Sequence, residues 1–126
     1  MPTVSLDLFA VARENTLFQR EILTNLYSQV VLMSLEPGED IGRDTHPTDR
    51  LLLFLEGTGE AELDGDRSEV FAGCLVAVPA ATRHTVINTG DAPLKLVTFY
   101  APPEEAPGTM HKTRAEAVEA AALRSR

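Results

Sequence analysis

Tryptophan is absent from this 126-residue chain, and cysteine occurs once. A lone Cys74 excludes an internal disulfide and a thiolate metal cluster, and its setting in GCLVAVP reads as a small buried hydrophobe. No stretch approaches the roughly eighteen apolar residues of a membrane span. The opening MPTVSLDLF lacks the basic region, long apolar core and small-residue cleavage site of an export signal, so a cytoplasmic location is expected. Basic residues are scarce: 11 Lys and Arg face 19 Asp and Glu, a formal charge of −8 that disfavours nucleic acid and gives no reason for membrane adsorption. There is no G-x-G-x-x-G, phosphate loop, H-E-x-x-H or serine elbow, and the corresponding mechanisms are set aside.

What the chain does have is a succession of short β-branched and apolar runs separated by glycine, proline and asparagine. Candidate strands lie at 18–23, 29–35, 50–56, 60–63, 68–71, 75–78, 83–87 and 95–100. Glu36-Pro37-Gly38 stops the second, Asp64-Gly65 is a hairpin signal, and both faces of 50–56 read as mostly buried. Such a meander argues for an all-β barrel or sandwich in one domain, 1–126, with a core barrel over about 18–100. The segment before Phe18 reads as a loose start. Beyond Ala101-Pro102-Pro103 the tail, 101–126, holds a Thr113…Glu116 capping box and a short alanine-rich helix ending near Arg124, which reads as packing or interface material.

Chemistry concentrates in DTHPTDR, 44–50, and around His84. His46 and His84 each enter a candidate strand, and Asp44 shares strand parity with His46, so all three are expected to point inward. Two imidazoles and a carboxylate can form a facial triad for a divalent metal. Two hydrogen-bonded inner-face histidines with no metal are the other reading. His111 lies in the tail and reads as surface or packing. Tyr100 and Phe54 are candidate cavity residues, Phe54 being first a core residue, and Tyr27 flanks a strand or interface.

The segments GEDIGRDTHPTDRLLLFLEG (38–57) and GCLVAVPAATRHTVIN (73–88) resemble, in order and spacing, the two motifs of the cupin family. Gly38, His46 and Gly57 match the first motif; Gly73, Pro79, His84 and Asn88 match the second, with Ala81 replacing its inner glycine. Asp44 stands where the first motif begins its histidine pair, and Arg50 stands where its glutamate belongs. The resemblance implies an antiparallel double-stranded β-helix or jelly roll, commonly dimeric, with strand 29–35 and the N-terminal segment expected at the dimer edge.

It also implies a metal set reduced to Asp44, His46 and His84, for nickel, iron, manganese or zinc alike, with Asp49 as a further carboxylate if Pro47 distorts the strand. Arg50, His46 and His84 are then the candidate catalytic residues. An inward Arg50 would repel a cation, pair with Glu56, or hold an anionic or oxygenated small molecule by paired hydrogen bonds. The expected function is small-molecule binding, extending to metal-dependent isomerisation, oxygenation or decarboxylation. The alternative is a metal-free binding or structural dimeric barrel without catalysis.

Overall fold

The structure, a computed structural model, describes residues 5–124. After a short helix α1 (Leu8–Glu14) come β1 (Gln19–Thr24), β2 (Gln29–Leu35), β3 (Asp49–Glu56), β4 (Thr58–Leu63), β5 (Asp66–Phe71), β6 (Leu75–Val78), β7 (His84–Ile87) and β8 (Leu94–Ala101). The tail adds β9 (Met110–His111) and α2 (Arg114–Arg124). One sheet has the order β6-β3-β8-β2-β1-β9 and the other β5-β4-β7. Every pairing is antiparallel. The stretch 40–44 bridges to β7 at Asp40↔Ile87 and Asp44↔His84, widening the smaller sheet.

Alternation assigns the interior. Leu52 and Phe54 of β3, Val31, Met33 and Leu35 of β2, Leu94 and Leu96 of β8, and Ala61, Val70, Val78 and Val86 form one buried cluster between the sheets. Each fully buried large side chain contributes about 1.5–3 kcal/mol relative to exposure, so this layer is the main stabilising term. Asp64-Gly65 makes the expected hairpin, with positive φ at both residues (48° and 89°). Gly57, φ 91°, closes β3 where an added Cβ would lie 2.5 Å from the Pro93 carbonyl oxygen, which restricts the position to glycine. Asn88 is fully used as a clamp: its amide donates to Leu35 O (2.9 Å) and Ala92 O (2.8 Å) and its oxygen accepts from Gly90 N (2.9 Å).

Several expectations are corrected. The segment expected to be loose before Phe18 holds the helix α1: Asp7 Oδ1 caps it by accepting from Ala10 N at 3.1 Å, and Ala12 packs on the outer face of the larger sheet with Leu32, Leu55 and Val97. Strand 29–35 is not an edge, because β1 and β8 flank it. The outer face of β3 is covered only at Leu55, leaving Leu51 exposed and Leu53 partly so. The tail joins the barrel, since β9 extends the sheet beyond β1 and His111 sits opposite Gln19. Thr113 Oγ1 accepts from Glu116 N (3.2 Å) as the capping box requires, while Glu116 reaches one residue further back, to Lys112 N (2.9 Å).

Candidate functional site

At one end of the barrel the inward positions turn polar. Register places Arg50 opposite Tyr100 and Tyr100 opposite Gln29, so a row Arg50–Tyr100–Gln29 crosses β3, β8 and β2. All three side chains are buried. His84, the first residue of β7, faces this row, and His46 meets it: the two ring centroids are 5.8 Å apart at 57°. The backbone fixes that approach, because Asp44 N donates to His84 O, His84 N donates to Asp44 O, and Ala81 N donates to His46 O at 2.7 Å.

Each group has a defined role. His84 Nδ1 donates to Thr82 O at 3.0 Å, which leaves Nε2 as an acceptor. Burial lowers the His84 pKa, the Thr82 bond opposes this, nearby Arg50 and His46 lower it further, and Asp44 raises it; the net shift is downward and favours the neutral ring. The Arg50 guanidinium lies over the Tyr100 ring, 4.6 Å from its centroid, and its Nη2 pairs closely with Glu104 Oε2. Tyr100, wholly buried, has its phenol pushed up to about 12 by burial, against the pull of Arg50.

Glu104 is the residue that sequence reasoning missed. It comes from the tail just after Pro102-Pro103. Its Oε1 accepts from Thr48 Oγ1 at 3.0 Å and lies 3.3 Å from His46 Nδ1. Burial raises its pKa, yet the His46 bond, the Arg50 charge and the Thr48 bond outweigh that and hold it at about 2. The sequence shows only an acidic pair, Glu104-Glu105, after a proline bend; that this bend ends the strand pairing with Arg50 is fixed by register.

The other expected partners go elsewhere. The Asp44 side chain is 68% exposed, accepts from Thr45 N at 2.8 Å, and approaches His46 Nε2 only to 3.7 Å. Asp49 is exposed and accepts from Ala80 N at 2.9 Å, bracing the turn before β7. A bulge between Phe54 and Glu56 turns Glu56 outward, opposite Lys95, so it does not meet Arg50. Phe54 is pure core.

These positions bear on the metal that the family motif implies. Among the described residues no three His, Cys, Asp or Glu side chains stand where they could share an ion. His46 faces carboxylates at both ring nitrogens, and a buried guanidinium adjoins it. The donor set Asp44, His46 and His84 does not fit a metal ion in this arrangement.

Beside His46 the barrel opens into a cleft of about 370 Å³. Phe18, Met33 and Ile41 give it an apolar wall, Gln19, His46 and Glu105 polar atoms, and Ala117, Val118 and Ala121 of α2 its remaining side. Arg43 and Arg114 stand at this cleft too, each facing a carboxylate, Glu62 at 2.5 Å and Asp40 at 3.4 Å. A cavity of similar volume, about 380 Å³, lies outside the barrel between α1 and β1 and contains none of the polar row.

A family model described as the cupin domain matches residues 31–100. The chain belongs to the cupin family. This cupin is 41% identical over 115 residues to an uncharacterized protein, YrkC, of Bacillus subtilis, covering 86% of this chain and 62% of YrkC. The chain thus spans less than two thirds of that relative's length. The crystal structure of BH2720 from Bacillus halodurans matches with a TM-score of 0.92 and 37% identity, over 94% of this cupin and 95% of that chain. An RmlC-like cupin from Shewanella frigidimarina shares the fold alone, with a TM-score of 0.64 and 18% identity over 69% and 77% of the two chains. The double-stranded β-helix expected from the motifs is the fold observed. Among the described residues no helix is long and apolar enough to cross a membrane.

Proposed function

We propose that this cupin binds a small oxygen-bearing molecule in the cleft beside His46, by packing and hydrogen bonds and without a resident metal ion. The observation that carries the reading is the cleft itself, whose apolar wall and few convergent polar groups have the make-up of a small-ligand site. Its support against a metal centre is the engagement of His46 and Arg50 by Glu104. Thermal-shift and NMR screening of polar metabolites against the folded protein tests it. Val118→Trp, which narrows the cleft from an exposed position, is expected to weaken any hit at least tenfold. Hits that bind this variant unchanged would place the site elsewhere. Reconstitution with nickel, iron, manganese or zinc, followed by elemental analysis, is expected to leave far less than one ion per chain. A stoichiometric ion lost in His46→Ala and His84→Ala would overturn the metal-free reading.

A second copy of the chain is the protein partner we propose. Its support is the edge position of β6, together with Leu51, 44% exposed, and Leu75, 59% exposed, on the outer face of the same sheet.

A further inference from the structure

The strap Pro102–Glu105 is held in the way a bound molecule is held. Gln29 grips its backbone: Oε1 accepts from Glu104 N (3.1 Å) and Glu105 N (2.9 Å), and Nε2 donates to Glu105 O (2.7 Å). Gln19 Nε2 donates to Glu105 Oε1 at 3.2 Å. The Glu104 carboxylate divides its oxygens, one to Thr48 and His46 and the other to Arg50. Every group that receives it belongs to the barrel or to the segment leading into β3, so the receiving surface is built independently of the strap.

That surface also has unspent capacity. Arg50 Nε is buried without a partner. A buried guanidinium stripped of its counter-charge is costly, whereas exchange of one carboxylate for another leaves it compensated. A neutral molecule displacing Glu104 would strand Arg50; a carboxylate would not. The strap opens on the paired prolines and is followed by Gly108, whose φ is 85°, so it has a stiff arm at one end and a permissive joint beyond the other.

We propose that Arg50, His46 and Thr48 form a carboxylate receptor that Glu104 fills as a self-ligand, and that the molecule taken up at the barrel mouth carries a carboxylate which replaces Glu104 when the strap lifts. This rests on the reading of the cleft beside His46 as a ligand site, to which His46 joins the Glu104 receptor, and it adds the ligand class and an internal competitor. The tether gives Glu104 a high effective concentration, so the free receptor binds a small carboxylate roughly 100-fold more tightly than the strapped one.

The test uses Glu104→Ala with sodium acetate as probe, against sodium chloride and sodium sulfate at matched ionic strength. Acetate is expected to raise the Tm of Glu104→Ala saturably, to do so far less in the wild type, and to fail in the Arg50→Met, Glu104→Ala pair. Equal effects of acetate and chloride on folded Glu104→Ala, or rescue that persists without Arg50, would overturn the receptor; rescue by sulfate alone would overturn the carboxylate assignment. Should Glu104→Ala not fold, Glu104→Gln keeps the side-chain shape, and acetate is expected to move its Arg50 Nε–H resonance; an unmoved resonance counts against the proposal. Rescue by acetate with no hit in the wild-type cleft would sink the cleft reading only, and the converse would sink the receptor only.

Discussion

Ala81 holds a left-handed backbone, φ 66°, at the position where the cupin motif has glycine. Its Cβ carries a steric cost of about 1–2 kcal/mol there, partly offset by glycine's greater freedom in the unfolded chain. Ala81→Gly is therefore expected to stabilise the protein by about 0.5–1 kcal/mol in urea unfolding, with an unchanged or lower stability counting against the strain. Two neighbours contribute to the response to acid. His84 has a pKa lowered from 6.5 by burial, so the unfolded chain takes up a proton that the folded one refuses; the stability it supports is complete above about 6.5 and falls as pH drops below that. Glu104, lowered from 4.5 to about 2, acts in the same direction at lower pH: its contribution is present above 4.5 and is lost as pH falls toward 2. The Glu104 part amounts to about 3 kcal/mol at most. Stability measured from pH 8 to pH 3 should descend in two legs, and Glu104→Gln should flatten the lower one. A profile level between pH 7 and pH 5 would contradict the His84 assignment.

At the scale of elements, β8 runs through the middle of the larger sheet, and one of its residues secures a helix on the outside. Lys95 is buried, and its Nζ donates to Arg13 O at 3.0 Å and to Asn15 O, a cation at the C-terminal end of α1. Lys95→Met keeps the stem and removes the cap, so a loss of about 1–3 kcal/mol is expected, with faster amide exchange concentrated around residues 10–15. Exchange that speeds up evenly along the chain would deny Lys95 this local role. The strands were legible in the sequence because alternation and turn residues agree, most plainly at Asp64-Gly65 and in QVVLMSL. The convergence of His46 with His84 was legible from the motif order. α1 was not, because seven residues give too little periodicity to distinguish a helix from a loop, and its one strong anchor, Lys95, lies 80 positions away from Asn15. Glu104 was hidden for a similar reason: a partner 54 residues from Arg50 is chosen by strand register, which no local pattern states.

For the molecule as a whole, the proposed self-association is the property most open to measurement. Sedimentation equilibrium is expected to give twice the chain mass, and Leu51→Glu with Leu75→Glu to give the single mass while circular dichroism stays unchanged. A wild-type chain of single mass would remove the dimer. The barrel also carries its own optical reporter. With no tryptophan in the chain, ultraviolet emission comes from two tyrosines, Tyr27 at 76% exposure and Tyr100 at 3%. Tyr27→Phe would leave a single emitter, pressed against a guanidinium that the strap keeps neutralised, so that fluorescence lifetime alone would distinguish a closed barrel mouth from an open one.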